Sequence, residues 1–468
     1  MSAVTRWEGT GGLEMVGAAT FGAALAEMLL AAKGARLLHL ARVPAVPAAP
    51  GEALIAVCET PRGIAHLACP AGGRPTRPSA AGVPAALAYE RVLEGEGIRW
   101  AEPAPEARVL GRGVFTFPLG PVRGDVAESA GWRLEVMGDE VLGLRLRFGY
   151  KRRHLEEQMG AAGLDGGSAL AERVTGTSPV AHASAYALAW EEALGVCPPP
   201  QATYWCGLLA EMERLHSHLG DLAALANATG LPAAAAELYI LKEEVLRLCG
   251  RLTGHRYQRG VIAVGGLRAA LPHLPELPAG LRGMAARLHG TVAALDRSTS
   301  FLDRLHTAGR VPPEAAAVLG PVGPVGRACG LDYDVRRDRP YGIYAERGAP
   351  LVPVAERGDA WARYRMRVEE VGASVDWVLA RLAEGPPGGA FRSPLPTDLG
   401  QPSGVSVGRV EAPRGELLYM IGPGWVRMRP ASFVNWALVP PAVAASNVMQ
   451  DVPIIDASFA LSVSAVDR

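Results

Sequence analysis

The sequence predicts an α+β fold: a small N-terminal α/β domain over residues 1–110, a β-hairpin region, and then a large helical bundle. Three observations carry this. Short apolar runs set between proline-, glycine- and alanine-rich stretches fill the first quarter. An alternating apolar–polar pattern interrupted by Gly138-Asp139 follows. Beyond residue 155, apolar residues recur at helical spacing.

In order, Val43–Gly51 and Pro70–Val83 are the punctuating stretches, and Ala53–Val57 and Ile64–Ala68 between them read as strands. Ala85–Gly97 reads as a helix, and the first domain ends near residue 110. The second domain, 111–468, opens with a β part to about residue 150. There Trp132, Leu134 and Val136 alternate with polar neighbours, Gly138-Asp139 turns the chain, and Val141–Phe148 returns. A bundle over about 155–384 follows. Leu208, Met212, Leu215, Leu219 and Leu222 form one apolar stripe. Leu281, Met284, Leu288, Val292 and Leu295 form a second, and Trp361, Tyr364, Val368, Val371, Val375, Val378 and Leu382 a third. The loop Gly385–Gly404 then opens an irregular or β-containing tail, 385–468.

Composition narrows the function. Lys+Arg and Asp+Glu are both 47 in 468 residues, which argues against a broad nucleic-acid-binding surface and leaves Lys151, Arg152 and Arg153 as a local basic patch. No apolar run reaches the ~18 residues of a membrane span; Thr20–Ala32 is interrupted by Glu27, and Glu8 and Glu14 do not suit a signal peptide, so a cytoplasmic chain is expected. The cysteines, Cys58, Cys69, Cys197, Cys206, Cys249 and Cys329, form no CxxC pair and read as buried small hydrophobes. There is no phosphate loop, dinucleotide fingerprint, HExxH or nucleophile elbow; Gly320, Gly323 and Gly326 read as a loop. Glu213 and His216 form a single ExxH, read as a solvated helix face or an interhelical hydrogen bond.

Residues 172–182 read Glu-Arg-Val-Thr-Gly-Thr-Ser-Pro-Val-Ala-His, and the chain closes with Ser458 to Arg468. The first segment resembles the Arg-x-Cys-Gly-x-Cys-x-x-x-His motif of nickel–iron hydrogenase large subunits: Arg173, Gly176 and His182 match, and Thr175 and Ser178 stand at the cysteine positions. The second resembles the Asp-Pro-Cys-x-x-Cys-x-Asp-Arg motif of the group 4 branch: Ser458, Asp467 and Arg468 match, and Ser462 and Ala465 stand at the cysteine positions. Phe117–Pro121, Glu211–Gly230, Val264–Gly266, Arg327–Tyr344, Gly358–Glu370 and Glu411–Glu416 resemble the same family, and Ala88–Arg91 up to Pro105 is similar to the short hydrophilic subunit of complex I.

The resemblance to the complex I / group 4 hydrogenase large-subunit family implies a fold of the hydrogenase large-subunit type. It implies a [4Fe–4S] small subunit, a ferredoxin-like subunit and antiporter-like membrane subunits as partners, on the cytoplasmic face of the membrane. A nickel site needs soft thiolates, which Thr175, Ser178, Ser462 and Ala465 do not supply, so no metal is expected here. In the complex I branch the cavity holds a quinone head. That branch's histidine and tyrosine fall on Arg123 and Gly176, and the histidine's acidic partner falls near Ala228. Arg123, Arg173 and Gly176 are therefore the cavity-lining residues the resemblance implies, and His182 and Arg414 the catalytic ones. His182 is expected to exchange a proton near neutral pH, and Arg414 to hold an acceptor oxygen or an acid. Two readings stay open: a redox subunit positioning a quinone or another acceptor, or a structural and coupling subunit with a filled cavity.

Overall fold

The computed structural model describes residues 5–6, 13–31, 35–44, 46, 51–60, 63–71, 75–78, 86, 89, 109, 111–122, 128–397, 399 and 402–467. The helix expected over Ala85–Gly97 lies outside the described residues apart from Ala86 and Tyr89, and so does Arg123.

Strands β1 (Thr5–Arg6), β2 (Leu13–Met15), β3 (Arg36–Val43), β4 (Ala53–Thr60) and β5 (Gly63–Pro70) form one sheet in the order β1-β2-β5-β4-β3. Within it the β2–β5 pair is parallel and the other pairs are antiparallel. Strand β4 is apolar from Ala53 to Cys58 because both of its faces are covered there. Leu54, Ala56 and Cys58 pack with Phe21 and Leu25 of helix α1 (Phe21–Ala31). Ala53, Ile55 and Val57 pack with Leu418, Met420 and Trp425 from the far end of the chain. A register shift between Leu37 and His39 in β3 puts Leu38 on the same face as Ala41 and Val43.

The predicted hairpin is present as β7 (Gly131–Met137) and β8 (Glu140–Arg147), with β6 (Phe115–Leu119) on the outer edge of β7 and Asn447–Val448 on the outer edge of β8. Gly138 turns the chain at φ +61°. Trp132, Leu134, Val136, Val141 and Leu144 face the main core.

The bundle comprises α2 (Leu155–Ala161), α3 (Gly163–Ala171), α4 (Pro179–Leu194), α5 (Pro200–Ala228), α6 (Pro232–Thr253), α7 (Leu277–Leu295), the short α8 (Gly323–Ala328) and the long α9 (Ala360–Glu384) among smaller turns. Pro at the first helical position opens α4, α5 and α6, where its missing N–H costs nothing. The stripe Leu208–Leu222 lies in the main core, but α5 is buried on its polar side too: Glu211, Glu213, Arg214, His216 and His218 are all within 1 % of full burial.

The tail is an antiparallel meander, β9 (Ser406–Ala412), β10 (Gly415–Gly422) and β11 (Trp425–Arg429), followed by short helices ending in α10 (Val452–Phe459). The meander is wedged between the N-terminal sheet and α4, so every residue of β10 is buried. The closeness of β9 to α4 requires Gly408: a Cβ there would lie 2.0 Å from the Ala185 carbonyl oxygen.

Two sequence expectations change. Gly323 opens α8 and Gly326 lies within it, so they are not loop residues. Pro324 lies in its first turn, and Gly323 lets the helix abut the β9–β10 turn, since a Cβ would lie 2.4 Å from the Gly415 Cα. Of the cysteines, Cys58, Cys69 and Cys249 are buried, Cys206 and Cys329 are half-buried, and Cys197 is exposed on the loop before α5; none is disulfide-bonded. No helix among the described residues is long and apolar enough to cross a membrane.

Candidate functional site

The loop 172–178, between α3 and α4, and the loop 460–467, after α10, are more than 280 residues apart in sequence and meet in space. One guanidinium joins them. Arg153 Nη2 donates to the Val174 carbonyl at 2.8 Å and to the Ser464 carbonyl at 2.7 Å, and Nη1 donates to the Arg173 carbonyl at 2.7 Å. Two acceptors sharing one nitrogen cannot lie further apart than those bonds laid end to end, so the Val174 and Ser464 carbonyls are neighbours, and Thr175 and Ala465 are the next residues along. Burial, first of all, pulls the Arg153 guanidinium below its ordinary value, and the charges of Glu128 and Asp467 oppose that.

The second loop is fixed from two further sides. Asp467, 3 % exposed, accepts from the Gly149 N–H at 2.6 Å and the Lys151 N–H at 3.0 Å. The Glu128 carboxylate accepts from the Val463 N–H, from the Ser464 N–H at 3.0 Å and from Ser462 Oγ at 3.2 Å. Such a carboxylate over successive N–H groups acts as a helix cap does.

At the four family positions, Thr175 is 5 % exposed with an unpartnered Oγ1, Ser178 begins α4, Ser462 Oγ is held by Glu128 and Ser464, and Ala465 is fully buried. None is a thiolate. Among the described residues no group of three or more His, Cys, Asp and Glu side chains is arranged to hold a metal.

Arg414 sits in the tight turn from β9 to β10, backed by the Gly323–Gly415 contact and by Asn435, whose side chain donates to the Val322 carbonyl at 3.0 Å and accepts the Val322 N–H at 3.0 Å. Its guanidinium reaches over the first loop, donating to Thr177 Oγ1 at 3.0 Å and to Asp221 Oδ1 at 3.3 Å, with Nε unpartnered. Asp221, on α5, also faces Arg367 of α9 at 3.4 Å. Lys242 of α6 is the next cation. Burial, above all, holds its ammonium below the ordinary lysine value, with the Asp221 charge opposing and the Arg414 charge adding. Around one carboxylate, Asp221, the fold thus gathers Arg414, Arg367 and Lys242, an excess of positive charge.

Behind this lies a buried ion network. Arg214, Arg327 and Arg336 face Glu211, Asp334, Glu370 and Glu411, for example Arg336 to Glu211 at 2.9 Å and Arg327 to Glu411 at 3.2 Å, and Glu370 also meets His218 Nε2 at 2.9 Å. The acids outnumber the arginines by one, and Glu411 shows it: burial and then the neighbouring Asp334 charge push its carboxyl up to about 7.

The expected site residues fall in different environments. Arg173 and Gly176 are exposed on the first loop, and a Cβ on Gly176 would meet open space. His182 is 2 % exposed, and its Nδ1 lies 2.9 Å from Tyr419 Oη. Burial, with the Arg153 charge adding to it, pushes His182 down to about 3, so it is neutral near pH 7 and the expected titration there does not occur. Glu213 is not on a solvated face; its carboxylate accepts the Val180 and Ala181 N–H groups at 2.6 and 3.0 Å, an interhelical bond that anchors the start of α4. His216 is likewise buried, edge-on to Tyr257. Ala228 lies at the end of α5, whereas the acid that meets the Arg414 site is Asp221. Sequence reading missed Arg153, Glu128, Asp221 and Arg367. Arg153 was read only as part of a basic patch and Arg367 only as part of the family-like segment Gly358–Glu370, and Asp221 lies off the apolar stripe of α5.

Comparison with known proteins agrees with this architecture. Residues 231–393 match the family described as the 49 Kd subunit of respiratory-chain NADH dehydrogenase. NADH-quinone oxidoreductase subunit 4 of Thermus thermophilus is 32% identical over 400 residues, covering 78% of this chain and 97% of that protein. The carbon monoxide-induced hydrogenase of Rhodospirillum rubrum is 27% identical, covering 76% of this chain and 99% of that protein. Formate hydrogenlyase subunit 5 of Escherichia coli is 29% identical, covering 75% and 62%. A chain of the archaeal membrane-bound sulfane sulfur reductase, a respiratory membrane complex, superposes with a TM-score of 0.70 at 24% identity, covering 77% of this chain and all of that one. The chain therefore belongs to the family of the respiratory-chain NADH dehydrogenase 49 Kd subunit, together with the related group 4 hydrogenase large subunits.

Proposed function

We propose that this chain is the large subunit of a membrane-associated, complex I-like electron-transfer complex. With a [4Fe–4S] small subunit it forms a site for a quinone or another small acceptor, and it holds no nickel–iron centre. A ferredoxin-like subunit and antiporter-like membrane subunits complete the assembly on the cytoplasmic face, in keeping with relatives that are subunits of quinone oxidoreductase and of membrane complexes. The observation that carries this reading is the positive excess at Asp221. A site short of carboxylates stabilises an acceptor that gains negative charge on reduction.

Nickel does not fit the donor set. Thr175, Ser178 and Ser462 offer hard, un-ionised hydroxyls and Ala465 offers nothing, so hydrogen activation is outside this chain's chemistry. A quinone oxygen fits better. The Thr175 hydroxyl is buried with no partner, the neighbouring Gly176 leaves open space, and Arg414 keeps a free Nε. Arg414 holds the acceptor oxygen and is itself oriented by Asp221 and Thr177. His182, neutral and tied to Tyr419, positions the start of α4. Arg123 and Arg173 are the remaining charges proposed for the mouth.

The test is photo-cross-linking of the detergent-extracted complex with a photoreactive quinone, combined with metal analysis. Labelling of peptides spanning 173–178 or 412–415, displaced by excess quinone, with nickel well below one per chain, is the expected result. Label elsewhere with these peptides clean, or stoichiometric nickel, overturns the proposal.

A further inference from the structure

Between α4, α5 and β9 the fold leaves a cavity of about 60 Å³. Its wall is mainly apolar, yet it includes three acids: Glu191 from α4, Glu213 from α5 and Glu411 from β9, the last with its carboxylate turned to Arg327 and the Val335 N–H. Glu191 is 6 % exposed and Glu213 1 %. Among the described residues neither has a cation within ion-pair distance. Glu191 is held by the Gly265 N–H at 2.8 Å, and Glu213 by the Val180 and Ala181 N–H groups.

A buried carboxylate without a cation persists only if it is neutralised by a proton or hydrated. A neutral acid carries an O–H that needs an acceptor. Both Glu213 oxygens already accept from α4, so its O–H is left to point into the cavity. Tyr341 on the wall accepts the Glu411 N–H at 3.1 Å and keeps its own proton to donate. A water needs about 10–15 Å³ of such space and two to four polar partners, and the cavity offers both for several waters.

We propose that this cavity is a hydrated proton-exchange site, in which water passes protons between Glu191 and Glu213. In each hop the O–H bond of one acid breaks as its proton joins a water oxygen, and that water releases another proton to the next carboxylate; no electron moves.

The surroundings fit groups that change protonation near neutrality. Burial, above all, pushes Glu213 up to about 8, against its two backbone N–H bonds and the Arg214 charge and with help from Glu172. The nearby Cys249 thiol is itself pushed up by burial and stays neutral. Burial pushes Glu191 up to about 7, with Cys206 its neutral neighbour.

The inference is independent of the acceptor reading and is tested without turnover, by infrared spectroscopy of the full chain. Wild type near pH 7 is expected to show the carbonyl stretch of a neutral carboxylic acid. That band shifts at once on mixing with D2O, and each of Glu191→Gln and Glu213→Gln removes part of it. Ala210→Leu, which fills the cavity without touching an acid, is expected to keep the band and slow its deuterium shift. Absence of the band in wild type, or a shift as fast in Ala210→Leu as in wild type, overturns the proposal. The wild-type and Ala210→Leu comparison decides even where a glutamine variant does not fold.

Discussion

Arg414 bonds Thr177 and Asp221 from one rigid fork, and no single-point cation reproduces both bonds. Arg414→Ala is expected to lower acceptor reduction about 10–100-fold, the worth of one charge-assisted bond made to the reacting oxygen. Arg414→Lys, which keeps the charge and loses the fork, should fall between the two; steady-state kinetics on complexes that assemble equally on a native gel check both. Glu213 supplies a pH test of a different kind. Its carboxyl sits at about 8 in the folded chain, above the ordinary unfolded value of about 4.3, so between those values the folded state binds more protons than the unfolded one. Its contribution is complete below the lower value and is lost as pH rises through the upper one. Urea melts near about pH 5 and about pH 9 should show wild type losing stability at the higher pH, and Glu213→Gln flattening that loss. At this scale the sequence was only partly legible. Arg414 stood out by its motif. Arg153 looked like one member of a surface basic run, because nothing local reveals that its acceptors are carbonyls of loops 20 and 311 residues away.

The elements were more legible, for a physical reason. Alternation in β7 and β8 and the α5 stripe each report one apolar face, and a face is a local property of the chain. The buried polar face of α5 was not legible, since Glu211 and Arg214 are satisfied by Arg336 and Glu370, more than 120 residues away. The same applies to α8, whose Gly323 is set by contact with the β9–β10 turn and Gly326 by contact with the Pro321 carbonyl. The join between the two loops belongs to this scale. Arg153→Ala removes three bonds to carbonyls from a partly exposed side chain and should cost about 1–3 kcal/mol in a denaturant melt. The loop geometry can also be probed by restoring the ligands. A chain carrying Thr175→Cys, Ser178→Cys, Ser462→Cys and Ala465→Cys should bind one cadmium ion beyond wild type, seen as thiolate-to-metal absorption. No extra cadmium from a folded variant would mean that the loops do not bring these positions together.

Across the whole molecule, the N-terminal sheet and the C-terminal meander share a core and a second ion network. Arg36 bonds Glu59 and Glu416 at 2.8 Å each, Arg339 and Arg409 also reach Glu59, and Arg429 meets Glu416. The Arg429, Arg36 and Arg409 charges overcome burial and hold Glu416 down to about 2. The sequence division at residue 110 did not reveal this sharing, because the covering residues Leu418, Met420 and Trp425 arrive from the other end of the chain. Removing residues 1–110 is therefore expected to leave that apolar face bare and to yield aggregated protein on size-exclusion chromatography. A monodisperse remainder would show that the first domain is dispensable to the fold.

The most direct test of the central claim, an electropositive acceptor site built on a nickel-free scaffold, is quinone reduction by the intact detergent-extracted complex driven by a low-potential artificial donor. Wild type is expected to turn over a quinone with no hydrogen uptake, and Arg414→Ala to lose most of that turnover while assembling normally. Fully assembled wild-type complex that reduces none of several quinones, or an Arg414→Ala complex as active as wild type, would contradict the account.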